Sequence, residues 1–137
     1  MALELDALLR VRGPEATFHD SWITSVAIDY RAASADLRFD VPVGSEGNSY
    51  IYESGTLTLR GLLFIAIEPP NEMPDGEGPS VLWVTADGEF PDERLRSTVV
   101  LPPDLPGGCH SHYLFCSNTN SSIVFCAREV LFQWESA

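Results

Sequence analysis

Thr17-Phe18-His19-Asp20-Ser21-Trp22-Ile23-Thr24-Ser25-Val26-Ala27-Ile28-Asp29-Tyr30 opens polar and then alternates, with Trp22, Thr24, Val26, Ile28 and Tyr30 on one side of an extended chain. Alternation at period two is the pattern of a strand with one buried face. A second alternating run follows: Ala35, Leu37, Phe39 and Val41 face one way, and Asp36, Arg38 and Asp40 the other. Together they predict an antiparallel hairpin turning around Arg31 to Ser34. A four-residue loop there sets Asp29 opposite Asp36, two like charges. A slip of two residues sets Asp29 opposite Arg38 and leaves every apolar residue on its face, so charge favours the slipped register.

Downstream, Pro42 and the polar segment Gly44 to Ser49 predict the end of that strand and a loop, followed by a short strand, Tyr50 to Glu53. Thr56 to Arg60 alternates and Leu62 to Ile67 is apolar on both faces. This predicts one long strand that begins at an edge and becomes central, with Gly61 as a bulge or close-approach point. After Glu68-Pro69-Pro70, the segment Asn71 to Pro79 reads as an exposed loop, and Glu72, Asp75 and Glu77 make it a candidate acidic recognition loop. Val81 to Ala86, ended by Asp87-Gly88, and Leu95 to Leu101 are further strands. A last hairpin pairs Cys109 to Ser117 with Ser122 to Trp134. Upstream, Leu5, Leu8, Leu9 and Arg12 fit a short helix over Asp6 to Val11 closed by Gly13-Pro14, whereas Leu3 and Leu5 alternating with Glu4 and Asp6 fit a strand; the helix is preferred.

The expected fold is therefore mainly β: an antiparallel β-sandwich or partly open barrel of about seven strands, with a short N-terminal helix. No amphipathic helix of crossover length separates the strands, which excludes a parallel α/β sheet. A length of 137 residues fits a single domain.

Eight basic residues, all arginine, stand against 20 acids, a formal net charge of -12. Such a surface repels nucleic-acid phosphates and anionic lipid, and favours a basic protein partner or plain solubility. The acids run from Glu4 to Glu135 without forming a tail, as on a solvated face. The longest apolar run is far short of a membrane helix, and the first residues carry acids where a signal peptide carries bases, so a cytoplasmic protein is expected. Three cysteines, Cys109, Cys116 and Cys126, are then expected as free thiols.

Two groups of residues offer chemistry. If the last hairpin pairs Ser117 with Ser122, His112 falls opposite Ala127 and His110 opposite Glu129, all on one face. His110, His112 and Glu129 then resemble a two-histidine, one-carboxylate site for a divalent metal such as zinc or iron. The plain alternative is a pair of structural or surface histidines, because a one-residue slip moves Glu129 to the other face. His19-Asp20 invites an acid/base reading. Neighbours at the head of a strand point to opposite faces, however, and a structural role is preferred, with Asp20 and Ser21 binding backbone donors at the turn. There is no Walker A, Gly-x-Gly-x-x-Gly, Gly-x-Ser-x-Gly or zinc-protease helix motif, and Asp75 to Gly78 is too short for a calcium loop.

Phe18-His19-Asp20-Ser21-Trp22-Ile23-Thr24-Ser25-Val26, followed by a hairpin and Gly55-Thr56-Leu57-Thr58-Leu59-Arg60-Gly61, resembles a group of small bacterial proteins of unassigned biochemistry. They share a Phe-His-Asp-x-x-(Ile/Leu)-x-Ser-(Val/Ile) opening, and some are grouped with immunity proteins of polymorphic toxin systems. The similarity spans Phe18 to Pro70. It implies a β-rich domain without catalytic residues that neutralises a toxin by binding, and an acidic surface suits a basic nuclease as partner. The expectation is an immunity-like interaction module. The competing expectations are a metal-binding protein or metal-dependent enzyme using His110, His112 and Glu129, and a homodimer joined through a sheet edge.

Overall fold

The computed structural model describes residues 4–68, 82–92 and 99–135. These residues form six strands: β1 (Trp22–Asp29), β2 (Ser34–Glu46), β3 (Ser49–Ile67), β4 (Leu82–Glu89), β5 (His110–Cys116) and β6 (Ser121–Trp134). Every pairing is antiparallel, and the strands make one sheet in a ring, β1-β2-β3-β6-β5-β4. Among the described residues the ring returns from β4 to β1 through two residue pairs, Trp22 with Trp83 and Ile23 with Leu82. The expected antiparallel, mainly β architecture is thus what forms. Most of the further strand expected over Leu95 to Leu101 lies outside the described residues, as do Glu72, Asp75 and Glu77.

The N-terminal helix is a single 3-10 turn, Leu5–Leu8, and not a helix over Asp6 to Val11. No side chain caps it. The one acid in its first turn, Asp6, instead reaches across to accept hydrogen bonds from the Phe18 backbone N–H (2.9 Å) and the Thr17 hydroxyl (2.8 Å). The turn delivers Leu5 and Leu9 into the core, where they join Ala16 and Phe18. Against them pack Ala35, Leu37, Phe39 and Val41 of β2, the face expected from their alternation, with Leu57, Leu59, Val84, Leu114, Ile123, Phe125 and Val130. Each buried side chain of this size contributes about 1.5 to 3 kcal/mol before the entropy of ordering it is counted.

β1 departs from strict alternation. Its ladder with β2 shifts between Ile23 and Ser25, so Thr24 is an extra residue and the phase reverses there. Val26 and Ile28 pack on the core as expected, but Ile23 replaces Trp22 as the inward residue, Thr24 is exposed, and Tyr30 is 88% exposed.

The charge argument for the hairpin register also fails. Asp29 pairs with Ser34, opposite neither Asp36 nor Arg38, around a loop of Tyr30 to Ala33. Its carboxylate is satisfied within that loop by the Ala32 N–H at 3.0 Å, which removes the need for a cross-strand cation. Arg38 pairs instead with Glu135, and Asp36 takes the Thr58 hydroxyl at 2.8 Å.

The loop expected from Pro42 to Ser49 is a continuation of the sheet. The β2–β3 ladder shifts between Pro42 and Gly44, which accommodates the missing proline N–H, and then runs on to Glu46 opposite Ser49. Only Gly47 and Asn48 turn, with Gly47 at φ +63°. β3 is the expected long strand. Gly61 is a close-approach point at φ +59°, where a Cβ would lie 2.9 Å from the Arg128 stem, while the ladder shift itself falls between Leu62 and Phe64.

The last hairpin turns through Ser117 to Asn120, with Cys116 opposite Ser121. Thr119 stabilises this turn, its hydroxyl 2.5 Å from that of Ser121. The pairing of Ser117 with Ser122 is not made. Each strand is displaced by one residue, so His110 faces Ala127 and His112 faces Phe125.

Candidate functional site

The β1 irregularity turns Trp22 to the outside of the ring, and the closing ladder sets Trp83 directly opposite it. Cross-strand partners share a face, and the two indoles stack with centroids 6.2 Å apart and planes 18° from parallel. The extended β2–β3 hairpin brings up two more rings. Tyr52 meets Trp22 edge-on at 6.5 Å, and Tyr50 meets Tyr52 edge-on at 6.0 Å. Trp83 is 37% exposed and Tyr50 55% exposed, so the four rings form a continuous aromatic surface. Ending β2 at Pro42 and placing Trp22 in the core hid this array. The Gly47-Asn48 pair between alternating flanks was the signal for the hairpin that builds it.

His19 and Asp20 lie at the edge of the array. They do not point to opposite faces, because Asp20 stands at φ +69° in a turn closed by the Ser21 N–H on the Phe18 carbonyl. His19 Nδ1 is 3.2 Å from Asp20 Oδ2, the atom that also accepts the Tyr50 hydroxyl at 3.3 Å. The Asp20 carboxylate raises the Tyr50 phenol above its ordinary pKa. The Ser21 hydroxyl donates rather than accepts, giving a 2.6 Å bond to the Phe18 carbonyl. Backbone donors are bound by Asp6, which takes the Phe18 N–H, and by Thr17, which takes the His19 N–H at 3.1 Å. A cavity of about 360 Å³ opens here, lined by Glu15, Thr17, His19, Asp20, Pro42, Gly44, Ser45 and Tyr50. Its rim carries hydrogen-bonding groups, and Tyr50 joins it to the aromatic array.

The other sequence candidates are separated. Glu129 pairs with Arg60 across β3 and β6, and the two side chains meet at 3.4 Å. His112 is turned inward, 2% exposed, its ring 5.8 Å from that of Phe125. Among the described residues no group of three or more histidine, cysteine, aspartate or glutamate side chains is arranged to hold a metal ion. The three thiols are free. Cys116 lies in the core, where burial pushes its thiol up to about 12, and Cys126 lies with its sulfur 2.9 Å from that of Cys109.

A second concave region is lined by Glu4, Leu5, Asp6, Asp87, Gly88, Glu89 and His112. Burial, reinforced by the charges of Asp6 and Glu4 and opposed by His19, pushes the Asp87 carboxyl up to about 6. Because the folded pKa lies above the unfolded one, Asp87 costs nothing where both states are protonated. The penalty grows as pH rises from about 4 and is complete above about 6. At 1.36 kcal/mol per pKa unit, discounted for partial solvation, it amounts to about 1 to 2 kcal/mol. Asp87→Asn is therefore expected to raise stability by that amount near neutral pH and to leave it unchanged near pH 3. Urea titrations at the two pH values test this, and an equal gain at both would show that the carboxylate charge is not the cause.

Comparison with protein families, with curated proteins and with solved structures finds no match. Among the described residues no helix is long and apolar enough to cross a membrane.

Proposed function

We propose that the chain is a non-enzymatic, cytoplasmic binding module whose outer aromatic face docks a basic protein. The observation that supports this is the contiguous exposed array of Trp83, Trp22, Tyr52 and Tyr50. Tryptophan and tyrosine are the side chains that most often dominate interface energies, and large aromatic surface is costly to leave in water. Acids border it: Asp40 stands opposite Trp22 in the ladder, and Asp20 and Glu15 line the adjoining cavity. Arg12 and Arg38 are engaged by Glu53 and Glu135. With a net charge of -12, the approach of a cationic partner is accelerated and that of nucleic acid opposed. An immunity-like role, neutralising a basic toxin, accords with the Phe18 to Val26 resemblance and with this face.

The test is a titration against the basic product of a neighbouring gene. The double variant Trp22→Ala/Trp83→Ala is expected to lose about 100-fold or more in affinity while keeping its β-sheet circular dichroism. Unchanged affinity in the double variant would sink the reading. A homodimer seen by light scattering that dissociates in the same variant would replace it with self-association.

A further inference from the structure

The cavity beside Asp87 holds about 380 Å³, in the range of small-ligand sites. Two of its four carboxylates are already engaged: Asp6 by Thr17 and the Phe18 N–H, and Glu4 by Arg10 at 3.3 Å. Asp87 and Glu89 remain. They are two apart on β4 and therefore share a face, opposite Leu114 and His112 of β5. Leu114 is a core residue, so Asp87 looks toward the interior of the ring, and it has no hydrogen bond or ion pair among the described residues. A second, independent feature lines the same cavity. The His112 ring is almost wholly buried and has the Gly88 backbone as its one hydrogen-bonding neighbour among the described residues, yet its Nδ1 is left without a bond there.

Asp87 is half-buried and Glu89 exposed, so two carboxylates border the cavity while a buried ring nitrogen beside them stands without a bond; a cation bearing N–H donors offers the carboxylates a counter-charge and the nitrogen a donor. Burial holds the imidazole toward its neutral form, which has one acceptor nitrogen. A metal ion suits the space poorly: the cavity is far larger than one ion, and no metal-holding group exists among the described residues. We propose that this cavity binds a primary ammonium or guanidinium group, held by Asp87 and Glu89 and met from the ring interior by His112. The group belongs either to a free polyamine or to a lysine or arginine side chain. The site is independent of the aromatic face and does not depend on its having a partner.

Calorimetry on the intact chain near neutral pH, with agmatine, spermidine and acetyl-arginine amide as probes, tests this. Agmatine is expected to bind one-to-one and to shift the His112 ring nitrogen resonances. Asp87→Asn and Glu89→Gln should each weaken binding by about tenfold or more. Both substitutions are nearly isosteric, and circular dichroism verifies their folding. Comparable binding of acetyl-arginine amide assigns the site to a side chain, and binding of the free amines alone assigns it to a polyamine. The proposal is overturned if no probe binds at millimolar concentration, if the two variants bind agmatine as well as the parent does, or if calcium or zinc shifts the His112 resonances while the organic cations do not. The Trp22→Ala/Trp83→Ala variant should bind agmatine normally, which separates this test from that of the partner.

Discussion

Phe18→Ala should lower the free energy of unfolding by about 3 to 5 kcal/mol, the range for deleting a buried phenyl ring. Phe18 is 0% exposed and precedes β1, so its burial reflects tertiary structure and not strand alternation. Its ring meets Phe39 edge-on at 5.0 Å and Phe132 at 5.8 Å. Its backbone is fixed on both sides, the N–H by Asp6 and the carbonyl by the Ser21 N–H and hydroxyl. The ring therefore cannot be replaced by collapse of a loose segment, which puts the cost toward the upper end of the range. For a domain of marginal stability this is a large share of the total. Urea unfolding measures it, with Tyr30→Ala at an exposed ring as the control expected within about 0.5 kcal/mol of the parent. A loss below about 1 kcal/mol for Phe18→Ala would mean that the N-terminal segment does not belong to the core.

Gly55→Ala should cost about 1 to 3 kcal/mol by overpacking. A Cβ at Gly55 would lie 2.5 Å from the Phe132 ring and 2.9 Å from the Gln133 carbonyl oxygen. Phe132 has little room to yield, since its ring is wedged between Phe18 and Trp134, the latter at 4.8 Å. Removing Phe18 opens that side. The double variant Phe18→Ala/Gly55→Ala should thus be more stable than the sum of the single effects predicts, with a coupling of about 0.5 kcal/mol or more. Strict additivity in a double-mutant cycle would show that Phe132 is not the obstacle.

The parts of the fold legible in the sequence are those where the ladder is regular. Ala35, Leu37, Phe39 and Val41 face the core as their alternation says, and β3 is one long strand. Where one residue is inserted, as at Thr24, period-two alternation inverts, and Trp22 lies on the face opposite to the one alternation predicts. Charge pairing was a poor guide to register because Asp29 found a donor within its own turn. Turns follow local bonding as well: Gly47-Asn48 closes a hairpin tighter than composition suggests, and the last hairpin turns over four residues as expected but one residue earlier, at Ser117 to Asn120.

The site was legible only in fragments. His19 and Asp20 stood out, but their contact depends on the positive φ of Asp20. The place of Asp87 is hidden because Asp-Gly reads as a turn signal, whereas β4 continues to Glu89 and carries the carboxylate inward. The burial of His112 against Phe125 follows from a register that the hairpin sequence alone left open.

The closure of the ring is uneven. Among the described residues β3 and β6 are joined by eleven residue pairs, β4 and β1 by two. Two further backbone bonds prolong that short closure, Asp20 N–H to the Val84 carbonyl at 2.7 Å and Val84 N–H to the Ser21 carbonyl at 2.9 Å. The sheet thus behaves as a long strip with a clasp, and the clasp is made of Trp22 stacked on Trp83 above the His19-Asp20-Ser21 turn. A molecule settling on those indoles would rest on the seam itself, so its arrival would be felt as a fastening of the whole strip.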